Sequence, residues 1–355
     1  MKVLITGGAG FVGSSLAKYL KTPQRAIQIT VLDNLRRRGS ELNLKTLREL
    51  GARFVHGDIR SPGDLAELHD EFDLMVEASA EPSVHAGTAG SPDYVVQANL
   101  MGTFNCLNFA RKQADKFIFL STSRVYSIAP LREIQLDETP TRFEIAAEQR
   151  LTGVTGEGIS EEFATNLPRS FYGATKLASE YLMQEFVASY GMKAVAYRCG
   201  VLAGPGQFGK ADQGVFTLWI ANHYFKIPLT YTGFGGQGKQ VRDLLHPEDL
   251  AELITTHLPT LEKHSGRVFN VGGGADRAIS LAELTSLCRE FTGNTVPVSS
   301  VRETAAVDVP LYVSDCRRIA SEVGWKPGRS IRTIISETAD WIRLNESELK
   351  QIFSQ

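Results

Sequence analysis

Little in this sequence is extreme, and each shortage removes a class of function. Cysteine is scarce: Cys106, Cys199, Cys288 and Cys316 are the only four in 355 residues, and no two form a C-x-x-C pair. Such usage cannot staple a small secreted domain and suits reduced thiols in a cytosol. Charge of one sign is lacking too, with 38 Lys and Arg against 40 Asp and Glu and a net charge of −2. Without a bulk positive field, nucleic acid and membrane surfaces are poor partners. Apolar runs are strand-sized, as at residues 117–120, far below the roughly 18 that a membrane span needs. The opening Lys2-Val3-Leu4-Ile5 meets glycine almost at once, too soon for a secretory leader. His56, His69, His223, His257 and His264 lack ligand-like spacing with cysteine or acids, so no metal site is expected.

What is present is globular: 43% of residues are hydrophobic and 22% charged. The length suits two lobes. The first half alternates β-rich runs (residues 3–6, 27–32, 53–55, 74–77, 116–120 and 195–198) with helical periodicity at 14–20, 101–111 and 174–190. That alternation predicts an α/β fold, a Rossmann-type doubly wound parallel sheet. Within 174–190, Leu177, Tyr181, Leu182, Phe186 and Val187 read as a core-facing stripe. Beyond residue 200 glycine clusters break the pattern, and helices at 248–257, 281–291 and 330–344 surround a strand at 268–271. This second half reads as a smaller, interleaved C-terminal α/β lobe. Residues 1–200 would hold a cofactor, with helix 246–260 and strand 268–271 returning to them, and 201–355 would mainly bind substrate. The polar stretch 127–170 is long enough to be a lid or a disordered insertion.

Glycine is the abundant residue, at 32. Thr6-Gly7-Gly8-Ala9-Gly10-Phe11-Val12-Gly13 follows the first strand and opens the first helix. One glycine serves a tight turn, one admits a pyrophosphate to backbone N–H groups, and one lets the helix pack closely. Asp33 ends the second strand 20 residues beyond Gly13, where a carboxylate accepts both hydroxyls of an adenosine ribose. The same carboxylate repels a 2′-phosphate, so NAD is expected rather than NADP, although Arg36-Arg37-Arg38 follows.

Tyr172-Gly173-Ala174-Thr175-Lys176 sets a phenol and an ammonium at i and i+4, on one helix face. Tyrosine ordinarily ionises at about pH 10, so a base working near neutrality needs its anion stabilised about a thousandfold, about 4 kcal/mol. A cation about 4 Å away at an effective dielectric of about 20 supplies that much. Lys176, joined by a positive nicotinamide ring, is therefore expected to lower Tyr172, with Thr122 at the end of the fifth strand holding the substrate oxygen. Cys199 ends the sixth strand near where a nicotinamide would lie. His246-Pro247-Glu248-Asp249 reads as a helix N-terminus with His246 as its cap.

With these residues in hand, the chain resembles the extended short-chain dehydrogenase/reductases, specifically the nucleotide-sugar epimerases and dehydratases. The resemblance rests on the glycine turn, Asp33-Asn34-Leu35, Gly57-Asp58-Ile59, Asn99, Thr122, Tyr172 and Lys176. Three stretches are similar to the CDP-paratose/CDP-tyvelose 2-epimerases: Val55-His56-Gly57-Asp58-Ile59-Arg60; Gln207-Phe208 with Asp212-Gln213-Gly214; and the run from Gly238 to His246. The resemblance implies Thr122, Tyr172 and Lys176 as catalytic groups. It implies Gly7, Gly10, Phe11, Val12, Gly13, Asp33, Asn34, Asp58 and Ile59 for the dinucleotide, with Ala78, Ala80 and Asn99 around its nicotinamide half. Gln207, Gln213, Arg242 and Arg302 would hold the nucleotide diphosphate of a sugar substrate, Arg242 foremost. A homodimer or homotetramer is likewise implied.

Two departures stand out. Where relatives often read His-Leu-Ala-Gly, this chain has Glu77-Ala78-Ser79-Ala80 and then Glu81-Pro82-Ser83, so Glu81 and Ser83 would face the sugar. After Thr122 come Ser123 and Arg124, not the Asp-Glu pair with which dehydratases expel water. The expected activity is thus epimerisation, at carbon 2 of a CDP-hexose. Its rivals are a UDP-glucose 4-epimerase type sharing every catalytic residue, a reductase with an exchanging cofactor, and a non-catalytic NAD-sensing regulator.

Overall fold

Strands buried on both faces must be apolar throughout, and the first strand shows it: Val3, Leu4 and Ile5 are all fully buried. The structure, a computed structural model, describes residues 1–21, 26–88, 90–209 and 214–353. Its elements run β1 (Lys2–Thr6), α1 (Phe11–Leu20), β2 (Gln28–Asp33), β3 (Arg53–His56), β4 (Phe72–Glu77), α2 (Gly102–Gln113), β5 (Ala114–Thr122), α3 (Phe171–Tyr190) and β6 (Lys193–Cys199). There follow α4 (Val215–Phe225), β7 (Val241–Leu245), α5 (Pro247–His257), β8 (Val268–Val271), α6 (Leu281–Thr292) and α7 (Ile331–Leu344).

Seven parallel strands form the central sheet in the order β8-β6-β5-β4-β1-β2-β3, the Rossmann-type arrangement expected. The chain leaves β1 toward β2 and β3, then crosses back to β4 on the other flank. Loops after β1 and β4 therefore diverge, opening a crevice at the carboxyl ends where such sheets bind ligands. β8 pairs with β6 at the sheet's far edge, and α5 packs on α1, so both elements lie against the first lobe.

The second half has a core of its own, in which Trp219 and Ile220 of α4, Leu284 and Cys288 of α6, and Ile334, Ile335 and Ile342 of α7 meet. Its sheet joins Val201–Leu202, β7, Ala278–Ser280 and Leu311–Tyr312, and Leu229–Thr232 pairs separately with Val298–Val301.

Two expectations change. Residues 127–170 are neither a loose lid nor disordered: they hold a short helix (Ile128–Glu133) and two hairpins. Leu131, Ile134, Val154, Ile159 and Phe163 bury themselves against Tyr126 and Tyr312, an apolar set hidden by the polar majority around it. Backbone bonds of Ile159 with Val313 (2.8 Å) and Asp315 (3.0 Å) tie the segment to the second lobe. On α3, Tyr181 is 56% exposed, and the inward face carries Lys176, Ser179 and Glu180 beside Leu177, Met183 and Phe186. The helix turns a polar face inward because it lies over polar strand ends.

Candidate active site

The glycine turn follows the shape of the crevice. Gly7 has φ +65°, and a Cβ there would come 2.9 Å from the backbone of Ala78. Gly10 caps α1, its N–H bonding the Gly7 carbonyl at 3.1 Å. A Cβ on Gly13 would lie 2.3 Å from that same carbonyl, so the helix can approach only as glycine. Phe11 and Val12 are half-buried in the first turn.

Gly7, Gly10, Asp33, Asn34, Asp58, Ile59, Ala78, Ala80, Glu81 and Ser83 all line one cavity of 450 Å³, which brings together the loops after β1, β2, β3 and β4. Asp33 accepts from the N–H groups of Ala9 (3.0 Å) and Leu35 (2.8 Å), and burial raises its carboxyl. Asn34 donates to Asp58 at 2.9 Å, and Arg60 grips the same carboxylate at 2.6 Å. Burial alone would raise Asp58, but the bonds from Arg60 and Asn34 bring it down to about 2. The guanidinium groups of Arg36 and Arg60 lie 3.8 and 4.9 Å from the ring centre of Tyr94. Arg36, although exposed, thus stacks on a wall of the cavity. A pyrophosphate beside the glycine turn and a ribose beside Asp33 fit this wall.

Thr122 ends β5 directly beside Cys199, its partner in register on β6. Tyr172 is the second residue of α3, whose cap is the Ser170 hydroxyl, accepting from Gly173 at 3.2 Å. Lys176 is 2% exposed; its Nζ lies 3.9 Å from Glu77 Oε2 and 4.4 Å from the centre of the Phe119 ring. Glu77 is fully buried at the end of β4, accepts from Thr103 at 3.3 Å, and is raised by burial against the pull of Lys176.

The protein's own groups do not by themselves lower Tyr172. Burial pushes Tyr172 up to about 12, against the lowering influence of the adjacent Thr122 hydroxyl and Arg124 charge. Lys176 spends its charge on Glu77, so the chain's own groups do not supply the drop that the i, i+4 spacing suggested. Burial likewise raises Cys199 to about 12, which leaves it a neutral packing group.

Several other positions face inward. Asn99 is fully buried in a turn of π-helix (Gln97–Met101) and exchanges two hydrogen bonds with the Glu81 backbone, at 2.7 and 3.0 Å. It therefore shapes the loop after β4 without lining the cavity. Gln207 is 6% exposed with both ends engaged, to the Leu202 carbonyl (3.0 Å) and the Thr217 hydroxyl (2.6 Å). Arg242 donates to Asp308 Oδ1 (2.9 Å), the Val309 carbonyl (2.8 Å) and the Val241 carbonyl (2.7 Å). Arg302 is exposed, beyond the Val298–Val301 strand. Gln213 lies outside the described residues. His246 caps α5 as expected, its Nδ1 accepting from Glu248 at 3.2 Å.

The sequence reading missed the anchor of α3. Glu180 holds Arg198 at 2.7 Å and also accepts from Ser121, while Ser179 donates to the Asn99 carbonyl at 3.0 Å. Two polar residues at i+7 and i+8 from Tyr172, on the face shared with Lys176, were the available signal.

The profile of a family described as the NAD dependent epimerase/dehydratase family matches residues 3–272. The CDP-paratose 2-epimerase of Salmonella typhi is 31% identical over 96% of this chain and 99% of its own length. A dTDP-glucose 4,6-dehydratase of Actinoplanes sp. is also 31% identical, over 98% of this chain and 99% of its own. The crystal structure of the Thermus thermophilus UDP-glucose 4-epimerase complex with NAD superposes with a TM-score of 0.74 at 26% identity, covering 97% of this chain and 99% of that one.

Proposed function

The chain belongs to the NAD dependent epimerase/dehydratase family, and from that premise we propose that it inverts carbon 2 of a CDP-hexose of the CDP-paratose/CDP-tyvelose type. It is an enzyme of nucleotide-sugar chemistry and its cofactor is NAD. One observation carries the choice of epimerisation over water loss. Expelling water from a sugar requires one group to take a carbon-bound proton and another to protonate the leaving hydroxyl. The turn beside Thr122 offers Ser123 and the guanidinium of Arg124 for those tasks, and neither is an acid–base pair. The likeness to a CDP-paratose 2-epimerase supports carbon 2 and cytosine.

Gly7, Gly10 and Gly13 with Phe11 and Val12 receive the pyrophosphate, and Asp33, Asn34, Asp58 and Ile59 the adenosine end. Ala78 and Ala80, which line the cavity, would hold the nicotinamide half, with Asn99 bracing their loop through Glu81 and Cys199 packing beside Thr122. NAD held there supplies a reversible hydride acceptor. Tyr172 takes the proton of the sugar hydroxyl as the carbon is oxidised, and Thr122 holds that oxygen in place. Lys176 fixes the cofactor ribose, and Glu77 fixes Lys176. The ketone then presents its other face, and Tyr172 returns the proton as the carbon is reduced. Nothing is consumed, so the cofactor stays bound. Residues 1–200, with 246–260 and 268–271, carry this chemistry. Residues 201–355 grip the nucleotide diphosphate through Gln213, Arg242 and Arg302, and Glu81 and Ser83 face the sugar. Gln207, with both amide ends held by Leu202 and Thr217, shapes its loop and is not a ligand group. Exposed Met101, Phe171, Tyr181 and Tyr190 on and beside α2 and α3 support a homodimer or homotetramer, and four unbridged cysteines support a cytosolic setting.

The test is to incubate the NAD-loaded enzyme with CDP- and UDP-hexoses and to locate the inverted carbon by NMR. Inversion at carbon 2 of a CDP-hexose without change in total NADH is expected. Inversion at carbon 4 of a UDP-hexose instead would replace this reading by the 4-epimerase one.

A further inference from the structure

Arg124 sits beside the reacting groups, yet the mechanism above gives it no task. It lies in the single 3₁₀ turn (Ser123–Val125) that follows Thr122, and its backbone is fixed on both sides. Its N–H donates to Thr122 Oγ1 at 3.2 Å. Its carbonyl supports the first turn of α3 so closely that a Cβ on Gly173 would come within 2.0 Å of it. The side chain leaves this anchored point toward the segment ahead of the Leu311–Tyr312 strand, where Nη1 donates to the Val307 carbonyl at 3.2 Å. The next two residues of that segment, Asp308 and Val309, hold the guanidinium of Arg242 at 2.9 and 2.8 Å.

Two guanidinium groups thus converge on three consecutive residues with one carboxylate, and Arg242, which also feels Asp243, takes it; Arg124 has no ion-pair partner among the described residues. Arg242 has Asp308 and two carbonyls as partners. Nε and Nη2 of Arg124 donate to nothing among the described residues, although the residue is mostly buried. Burial and the neighbouring Arg242 pull Arg124 down to about 10, as befits a cation short of counter-charge.

We propose that Arg124 is a specificity-determining residue that binds an anionic oxygen group of the substrate next to the reacting carbon. The inference rests on the nucleotide-sugar reading and deepens it. A guanidinium edge matches phosphate and carboxylate equally, so the anion is either the phosphate on carbon 1 or a carboxylate on the sugar itself. The phosphate source carries a consequence. Carbon 2 adjoins the phosphate-bearing carbon, whereas carbon 4 lies across the ring, so a phosphate held beside Thr122 brings carbon 2 to Tyr172.

The experiment is calorimetric titration of NAD-loaded wild type, Arg124→Gln and Arg124→Lys with CMP, CDP and a CDP-hexuronate. Arg124→Gln is expected to weaken CDP about 10- to 100-fold, the loss typical of a hydrogen bond to a charged group, with CMP and bound NAD content unchanged. Arg124→Lys, which keeps the charge, restores part of that affinity. A loss confined to the hexuronate also supports the proposal and assigns the anion to the sugar. Unchanged affinity for both ligands in Arg124→Gln overturns it while leaving the proposed function standing. Wild type that binds no nucleoside diphosphate overturns both.

Discussion

At the scale of single residues, Tyr172 is under opposing demands. Enclosure that keeps water from a ketone also favours the neutral phenol, and burial raises Tyr172 to about 12. With Lys176 paired to Glu77, the remaining stabilisation of the anion falls to the positive ring that the cofactor brings. The tyrosinate absorbance of wild type minus that of Tyr172→Phe is expected to titrate at about 12 in enzyme stripped of NAD, and lower in enzyme loaded with it. Coincident curves would transfer the lowering back to the protein. The sign for stability follows. Tyr172 ionises above the ordinary tyrosine value of about 10, so its contribution is complete below that pH and is lost as pH rises toward about 12. Tyr172→Phe therefore melts like wild type near neutrality and gains on it above about pH 10. The same variant is expected to lose at least about a hundredfold in turnover while retaining NAD. The Tyr172–Lys176 spacing was legible because i and i+4 always meet on a helix. Glu77 was not, because its role exists only once β4 lies beneath α3.

At the scale of elements, α3 is held by buried charge rather than by an apolar stripe. Glu180 and Arg198 are 1% and 7% exposed, and they fasten the helix to β6 and, through Ser121, to β5. Glu180→Ala leaves Arg198 buried without a counter-ion, which costs about 3–5 kcal/mol. Urea unfolding is expected to show that loss, and a change under about 1 kcal/mol would contradict it. Gly173 makes a second, more local contact. Since its Cβ would sit 2.0 Å from the Arg124 carbonyl, Gly173→Ala must move the first turn of α3 away from β5. The expected result is a fall in kcat of at least about tenfold, since proton transfer needs hydrogen-bond reach between Tyr172 and the oxygen that Thr122 holds. KM for the nucleotide sugar should change less than kcat, because the substitution displaces the first turn of α3 that carries Tyr172. The same geometry shows why Tyr181 was misread as core: periodicity locates a helix face, but the polar residues at strand ends decide which face turns inward.

At the scale of the whole molecule, Tyr181 is 56% exposed near the middle of α3, a large ring for a surface facing water, while Tyr190, nine residues on, lies on the opposite side of the helix. If copies pair there, Tyr181→Glu is expected to shift sedimentation toward the monomer while leaving NAD bound, and an unchanged sedimentation coefficient would place the interface elsewhere. The sequence by itself determined the parallel sheet, the glycine turn, Asp33 at the end of β2 and the Tyr172–Lys176 pair. These depend on strand and helix periods and on spacings of a few residues, which hold wherever the segment lies. Only the tertiary structure decided that Asn99 and Gln207 are engaged within the protein, that residues 127–170 form a packed cover, and that Arg124 shares residues 307–309 with Arg242. Arg124 and Val307 are 183 positions apart. Contacts of that kind follow from strand order and from how the two lobes close on each other, for which no local spacing is a substitute.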